Sequence, residues 1–338
     1  SYGKSLLEAC PDRLKAQLER NTEKLKAFLT SFSEAKVCLK ENCFFDLVPA
    51  KFLLEHFDLK NRICEHVFET YEEPDNYMFL VRASRILEKI KNQRLNVDLA
   101  KISPDAYRLP VKNFIKRVQN SSYVCEYDIF GTKTGRLSTV KNSFPILTMD
   151  KKYRKILKPT NDWFIELDFN AAELRTILAL SGKKQPAMDI HQWNVDNVYK
   201  DLDNRDAAKK RIFSWLYNPS SKDAESDKHY NRKELRENYY LNGVVKTPFG
   251  RKIECDDYHA LNYLIQSTSA DNTLLQLVKL DSLLDGNKSF IAFTMHDSIV
   301  IDLAHDERGL IPILAYAFAD TNLGRFLPNI SAGKDFGS

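Results

Sequence analysis

The chain has 338 residues, of which 43% are hydrophobic and 28% are charged. This composition supports a folded protein of about two domains and excludes a disordered chain. Its 11 glycines and 12 prolines exclude a collagen-like or linker protein, and no apolar run reaches the roughly 18 residues of a membrane span. Six cysteines without a CxxC pair, and a chain start without a signal-peptide pattern, predict reduced thiols in the cytoplasm.

Charge is spread unevenly along the chain. There are 50 basic and 46 acidic residues, a formal net charge of +4. Residues 101–160 contain 13 basic and 4 acidic residues, a net of +9, whereas residues 161–338 have a net of −5. A basic block beside an acidic half suits a protein that binds a polyanion and also holds cations. Charge alone favours the alternative, an ordinary solvated surface.

The first hundred residues read as helical. Apolar residues at helical spacing predict a helix over 11–32, and prolines punctuate two further helices at about 50–70 and 77–92. No Asp-x-Glu pair occurs before residue 100, so no carboxylate cluster for a nuclease is predicted there.

Strands enter in the second part of the chain. Residues 163–169 and 290–303 are rich in aromatic and β-branched residues and are predicted as strands. Residues 218–228 are predicted as a polar loop. Helical patterns are predicted at about 171–181, 189–199, 204–217, 230–241 and 258–284. Helices followed by an α/β part with separated strand groups predict an α+β fold.

Two aspartates lie at the ends of apolar runs in these predicted strands. His296 and Asp297 lie between two apolar runs, which predicts a β-hairpin with the polar pair at its tip. Asp168 ends the apolar run 163–167, where an unpaired carboxylate is costly. Mg²⁺ is bound by one or two carboxylates together with phosphates and water, so these aspartates are a candidate metal pair. An ordinary Asx turn is the alternative for Asp297.

A third pattern has steps of four residues. Arg205, Lys209, Phe213 and Tyr217 share one face of the predicted helix over 204–217. Cations suit triphosphate oxygens and aromatic rings suit bases. An amphipathic helix with basic side chains reaching toward solvent is the alternative.

These segments resemble motifs A, B and C of the family A DNA polymerases, which include the bacterial repair polymerase and phage and mitochondrial replicases. LDFNAAELRTILALSG at 167–182 resembles motif A, RDAAKKRIFSWLYN at 205–218 motif B, and MHDSIVIDL at 295–303 motif C. Lesser segments occur in the family's order, namely TGRLS at 134–138, DIH at 189–191, TPFGRK at 247–252 and NYLIQSTSAD at 262–271. The resemblance covers about 120–338, the polymerase region only, in a short phage-like form.

The resemblance implies a role for each matching residue. Asp168, Asp297 and the Phe169 carbonyl would bind the catalytic metals, and Lys209 would also protonate the leaving pyrophosphate. The nucleotide-binding residues would be Arg205, Lys209, His191, Phe213, Tyr217 and Glu173, the last closing the space that a ribose 2′-OH needs. The DNA-binding residues would be Arg136, Asn262, Gln266, His296 and Arg251.

The implied fold is a right hand, with a helical thumb-like region at 1–110, an antiparallel palm at 111–188 and 251–338, and helical fingers at 189–250. Only 25 residues separate Tyr217 from Gly243, so the fingers are expected to be short. Ser298 stands where many members have Glu, and Asn218 and Ser267 replace glycines of the pattern.

The sequence therefore predicts a template-directed DNA polymerase that extends a primer 3′-OH with dNTPs and has no proofreading exonuclease in this chain. The expected cofactor is a pair of Mg²⁺ ions, with Mn²⁺ as a substitute. The expected partners are primer–template DNA and dNTPs, with a separate exonuclease or replisome proteins as further candidates and no membrane. The cytoplasm of a bacterium or phage-infected host is expected, with an organelle left open.

The alternatives to this function are a single-subunit RNA polymerase, against which Glu173 argues, and a non-catalytic DNA-binding homologue.

Overall fold

The computed structural model describes residues 6–39, 41–218 and 220–337. The chain divides into two compact units, Ser1–Pro74 and Asp75–Ser338. The predicted thumb boundary at residue 110 therefore does not coincide with a boundary between compact units, and the thumb, palm and fingers limits remain predictions. Among the described helices, none has the length and apolar character required to cross a membrane.

The first unit is helical where it is described. Its helices are α1 (Leu6–Ala9), α2 (Asp12–Glu34), α3 (Phe44–Leu47) and α4 (Ala50–Thr70). Leu14 and Leu18 of α2 pack with Leu59 and Ile63 of α4, and all four are buried. The helices predicted over 11–32 and 50–70 are confirmed by α2 and α4.

The second unit is mixed. Its helices are α5 (Tyr77–Lys91), α6 (Leu109–Gln119), α7 (Ala172–Leu180), α8 (Ile190–Asn197), α9 (Arg205–Tyr217), α10 (Ala224–Tyr230), α11 (Arg232–Tyr239), α12 (Asp257–Leu284) and α13 (Leu310–Ala319). Short 3-10 helices cover Leu99–Lys101, Ser103–Asp105, Ile146–Thr148, Lys151–Ile156 and His305–Glu307. The strands are β1 (Asn96–Val97), β2 (Tyr127–Asp128), β3 (Ser138–Thr139), β4 (Leu157–Lys158), β5 (Trp163–Phe169), β6 (Tyr240–Leu241), β7 (Val244–Lys246), β8 (Lys252–Glu254), β9 (Phe290–Met295), β10 (Ser298–Leu303), β11 (Asp320–Thr321), β12 (Gly324–Arg325) and β13 (Pro328–Gly333).

The central sheet has four antiparallel strands in the order β13-β5-β10-β9. The strand predicted over 163–169 and the hairpin predicted over 290–303 are both confirmed. A second sheet, β6-β7-β8, is also antiparallel. The α+β prediction is thus confirmed.

One hydrophobic cluster joins the helices beside this sheet. Its buried members include Leu174 of α7, Ile190 of α8, Trp215 of α9 and Leu264 of α12. Trp215 is completely buried, and its Nε1 donates a hydrogen bond to Asp227 on α10. This shared core holds the helices that carry the motif A, B and lesser segments in one unit.

The loop predicted over 218–228 is wrong in its second half, where α10 begins at Ala224. Asp223 caps this helix by accepting a hydrogen bond from the Ser226 amide. Arg211 of α9 forms ion pairs with Asp223 and Glu225. The polar composition of the segment suggested a loop, whereas these tertiary ion pairs and the cap stabilise a helix.

Candidate active site

The two predicted metal-binding aspartates lie at the same end of the central sheet. In the antiparallel register, Asp168 of β5 stands opposite Ser298 of β10 on one side and Asn329 of β13 on the other. Asp297 immediately precedes Ser298 in the two-residue turn between β9 and β10. His296 adopts a left-handed φ of 54°, which makes this turn tight. The hairpin therefore carries Asp297 to the end of the strand that bears Asp168.

The surroundings of both carboxyl groups disfavour the ionised form. Burial, with a further contribution from the charge of Asp297, raises the pKa of Asp168 to about 6, although Asn329 donates a hydrogen bond to it. Burial also raises the pKa of Asp297; the charge of Arg136 opposes this and that of Glu173 adds to it. Two carboxylates that repel each other in a partly buried site can be stabilised by a bound cation.

The donor set fits a magnesium site completed by substrate. Among residues 6–39, 41–218 and 220–337, no group of three or more His, Cys, Asp or Glu side chains could hold a metal ion. Mg²⁺ ordinarily takes one or two protein carboxylates and fills its other positions with phosphate oxygens and water. Asp168 and Asp297, with the carbonyl of Phe169, match that requirement.

Glu173 lies in the first turn of α7 and is held by two partners. It is 8% exposed. Arg136 Nη2 donates to Glu173 Oε1 at 2.5 Å, and the Tyr217 hydroxyl donates to Glu173 Oε2. Burial, together with Glu173, raises the pKa of Tyr217, so the phenol stays protonated and serves as the donor. Glu173 thus joins the segments resembling motif A and motif B and the TGRLS segment.

Helix α9 presents the four residues of the third sequence pattern. Asn204 caps it by accepting hydrogen bonds from the amides of Asp206 and Ala207. The rings of Phe213 and Tyr217 stack with centroids 5.8 Å apart and an interplanar angle of 11°. Lys209, one turn before Phe213, is exposed. The predicted face of two cations followed by two aromatic rings is present.

Arg205 forms an ion pair with Asp189, the first residue of the DIH segment, for which the sequence predicted no role of its own. Arg205 Nη2 and Nε donate to the two Asp189 carboxylate oxygens at 2.9 and 3.1 Å. Asn170 Nδ2, two residues after Asp168, donates to the same carboxylate at 2.8 Å. Burial opposes ionisation of Asp189, but these hydrogen bonds hold its pKa well below the usual value. Asp189 therefore links the end of β5 to the start of α9.

His191 contacts this ion pair through its amide, which donates a hydrogen bond to Asp189 Oδ1 at 3.0 Å. It is 3% exposed, and its ring centroid is 5.7 Å from that of Phe213. Burial, together with the charges of Arg205 and Lys209, lowers the pKa of His191 to about 4, so it is neutral at pH 7. Within the described part of the chain, its Nδ1 is buried without a hydrogen-bond partner. A neutral ring suits a hydrogen-bond donor to phosphate rather than a charged ligand.

The predicted DNA-binding residues occupy different environments. Gln266 Nε2 donates to Asn262 Oδ1 at 2.7 Å on α12, and both side chains are half-buried. His296 is exposed at the hairpin tip. Arg251 is 3% exposed and binds Asp271 through two hydrogen bonds of 2.6 and 3.0 Å. The buried carboxylate of Asp271 thus holds the Arg251 guanidinium group, and a contact of Arg251 with DNA stays a prediction.

Two further residues were missed by sequence reasoning. Arg175 of α7 is completely buried and donates to the carbonyls of Asn170, Pro186 and Met188. It thereby anchors the segment that leads to Asp189. Asn329 contacts Asp168 from β13, a strand without an apolar pattern. Arg175 lies in the segment that resembles motif A, which could have identified it, whereas no pattern in the sequence points to Asn329.

Known proteins that resemble this chain in sequence or in fold are DNA polymerases. No protein-family model matches the chain. It is 28% identical to the DNA polymerase of Mycobacterium phage D29 over 43% of this chain and 32% of that protein. It is 26% identical to the DNA polymerase of Mycobacterium phage L5 over 44% of this chain and 31% of that protein. The matched region thus spans about a third of each of these relatives.

A solved structure with a similar fold is the POL domain of Pol1 from M. smegmatis, in complex with DNA primer–template and dNTP. The TM-score is 0.61 at 13% identity, over 85% of this chain and 75% of that chain. The resemblance to family A DNA polymerases is confirmed. The chain has the fold of a polymerase domain, and its central hairpin carries the segment that resembles motif C.

Proposed function

We propose that this chain is a template-directed DNA polymerase that extends a primer 3′-OH with dNTPs. The observation that carries the proposal is the placement of Asp168 on β5 and of Asp297 in the adjacent turn between β9 and β10. Asp297 lies near Glu173, whose carboxylate binds Tyr217 on the cationic and aromatic face of α9. The bound primer–template and dNTP of the M. smegmatis domain support the same substrates here.

Asp168 and Asp297, with the Phe169 carbonyl, would hold two Mg²⁺ ions, and Mn²⁺ is expected to substitute. When bound, the ions would favour deprotonation of the 3′-OH and neutralise charge on the triphosphate. The 3′-hydroxyl releases its proton to water, and its oxygen forms a bond to the α-phosphorus. The bond from that phosphorus to the oxygen that bridges to the β-phosphorus breaks, which releases pyrophosphate. Lys209 would donate a proton to the leaving pyrophosphate.

The remaining residues position the substrates. Arg205 would exchange part of its ion pair with Asp189 for triphosphate oxygens, and neutral His191 would donate a hydrogen bond nearby. Phe213 and Tyr217 would pack against the incoming nucleotide and the templating position. Contacts to the primer terminus and minor groove would come from Arg136, Asn262, Gln266 and His296.

Primer extension is the direct test. A 5′-labelled primer on a DNA template should be extended with dNTPs only when Mg²⁺ or Mn²⁺ is added, with release of pyrophosphate. Preference for rNTPs would favour the RNA polymerase alternative, and absence of any extension would favour the non-catalytic homologue. We further propose that the chain has no 3′–5′ exonuclease, so a mismatched primer should not be shortened.

Sugar selection tests Glu173. A ribose 2′-OH would meet a carboxylate whose oxygens already accept from Arg136 and Tyr217, and one disturbed buried hydrogen bond costs about 1–3 kcal/mol. Glu173→Ala should therefore lower the preference for dNTP over rNTP about tenfold, which corresponds to about 1.4 kcal/mol. The ratio of kcat/KM values measures this preference. Glu173→Gln keeps the side-chain shape and should retain more of the preference; an unchanged ratio in Glu173→Ala would contradict the assignment.

Salt dependence tests the basic block. Several of its cations are already paired, including Lys158 with Asp98 and Arg136 with Glu173. Lys112 and Lys116 lie one turn apart on α6, are exposed and form no salt bridge within the described residues. The logarithm of primer–template affinity should fall linearly with the logarithm of salt concentration, and replacing both lysines by alanine should reduce the slope by about 2. A slope unchanged by this replacement would assign these lysines to ordinary solvated surface.

A further inference from the structure

Arg251 and Asp271 form a buried ion pair in the second unit. Arg251 follows the turn between β7 and β8, and Asp271 lies in the middle of α12. The side chains are 3% and 0% exposed, respectively. Two parallel hydrogen bonds, from Nη2 to Oδ1 and from Nε to Oδ2, fix the guanidinium plane. The Arg251 amide also donates to Thr247 Oγ1 at 3.1 Å.

The guanidinium group lies directly against Gly135. A Cβ atom placed on Gly135 would be 2.5 Å from Arg251 Cζ, 2.5 Å from Nη2 and 2.8 Å from Nη1. Gly135 also has a φ of +75°, which side chains rarely adopt. The close approach therefore requires glycine, and the backbone of this turn lies against the guanidinium group of Arg251.

The turn on Arg251 continues directly into Arg136. Gly135 N donates to the Thr132 carbonyl at 3.2 Å, and Thr132 Oγ1 donates to the Arg136 carbonyl at 2.8 Å. Arg136 then reaches Glu173 at 2.5 Å. Asp271, Arg251, Gly135, Arg136 and Glu173 thus form one continuous series of contacts from α12 to α7.

We propose that the Arg251–Asp271 pair is a positioning platform, which supports the Gly135 turn and so holds Arg136 against Glu173. The proposal rests on the proposed function, because it assigns to this platform a part of the discrimination between deoxyribose and ribose. A buried ion pair often contributes little net stability compared with apolar residues of similar volume, so stability alone does not explain why two charges are buried here.

The first test changes the glycine and has a matched control. Gly135→Ala places a methyl group against Arg251, whereas Gly286→Ala introduces an alanine at a similar φ of +77° where no atom lies within 4 Å. Both variants carry the same kind of backbone strain. Gly135→Ala should lower the kcat/KM preference for dNTP over rNTP about tenfold, while Gly286→Ala should leave it within about twofold.

The second test removes the charges together. Arg251→Met with Asp271→Leu leaves no unpaired buried charge and is expected to fold, which a thermal melt would verify. The double variant should also lose about tenfold in sugar preference, because the guanidinium support for Gly135 is gone. If that variant fails to fold, the Gly135→Ala and Gly286→Ala pair decides the question by itself.

A third measurement asks whether the platform acts through Glu173. Adding Gly135→Ala to Glu173→Ala should change the sugar preference no further. A folded, active Gly135→Ala variant with wild-type preference would overturn the proposal, and so would an equal loss with and without Glu173. Failure of the wild-type chain to extend a primer would instead contradict the proposed function, so the two failures are distinguishable.

Discussion

Replacing Asp168 or Asp297 by asparagine should reduce primer extension about 10³-fold or more, which corresponds to a loss of at least about 4 kcal/mol of transition-state stabilisation. The amide removes the negative charge that a bound cation requires while keeping the side-chain shape. Single-turnover extension with saturating dNTP measures the effect. Affinity for primer–template, measured by fluorescence anisotropy, should change little, because it depends on many phosphate contacts rather than on these carboxylates.

Asp302 offers a matched control for this experiment. It is a buried aspartate on β10, the strand that follows Asp297, and it accepts hydrogen bonds from the amides of Thr160 and Asn161 at 2.6 and 2.8 Å. Asp302→Asn should lower the free energy of unfolding by about 1–3 kcal/mol, while turnover of the folded fraction stays near wild type. Retention of more than about a tenth of wild-type turnover by Asp168→Asn or Asp297→Asn would contradict the two-carboxylate site. Removal of one group that stabilises charge in the transition state usually lowers turnover by more than about tenfold.

Lys209 should give the second large effect. It is an exposed cation on α9, one turn from Arg205 and one turn from Phe213. Its positive charge contributes to the lowered pKa of His191. Lys209→Ala should lower kcat about 10²- to 10⁴-fold if the lysine donates a proton to the leaving pyrophosphate, and it should raise the KM for dNTP through the lost phosphate contact. Presteady-state incorporation at several dNTP concentrations separates the two effects.

The neighbouring Lys210 is the control for Lys209. It has the same charge and is exposed on the same helix, but it lies about 100° away around the helix axis. Lys210→Ala should leave kcat and KM within about twofold of wild type, since a surface substitution usually has a small effect. Equal losses in Lys209→Ala and Lys210→Ala would indicate a general electrostatic effect of α9 and would contradict a specific role for Lys209.

Local patterns were sufficient to predict much of this fold. The apolar run before Asp168 and the two runs around His296 and Asp297 correspond to β5, β9 and β10. Their side chains are suited to a buried pleated sheet whatever their partners are. Helix α9 was predicted over 204–217, because its four-residue spacing is also a local feature. The same spacing predicted the shared face of Arg205, Lys209, Phe213 and Tyr217.

Other elements depended on distant partners. Strand β13, residues Pro328–Gly333, is mostly exposed and has no apolar run, and it forms a strand because it pairs with β5. Helix α10 lies in a polar segment whose composition predicts a loop. It is stabilised by the ion pairs of Arg211 with Asp223 and Glu225. Pairing across a sheet and ion pairs between helices join residues far apart in sequence, so no local window contains the partner.

The amino-acid sequence by itself determined which side chains are available for the chemistry: two aspartates beside apolar strands, a helix face of cations and aromatic rings, and Glu173 after Asp168. Only the tertiary structure decided which partner each charged side chain binds. Arg205 is held by Asp189, Glu173 is bound by Arg136 and Tyr217, and Arg251 is buried on Asp271. The physical reason is that a charged side chain takes its partner from whatever the fold brings within hydrogen-bond distance. Burial then makes that choice costly to change.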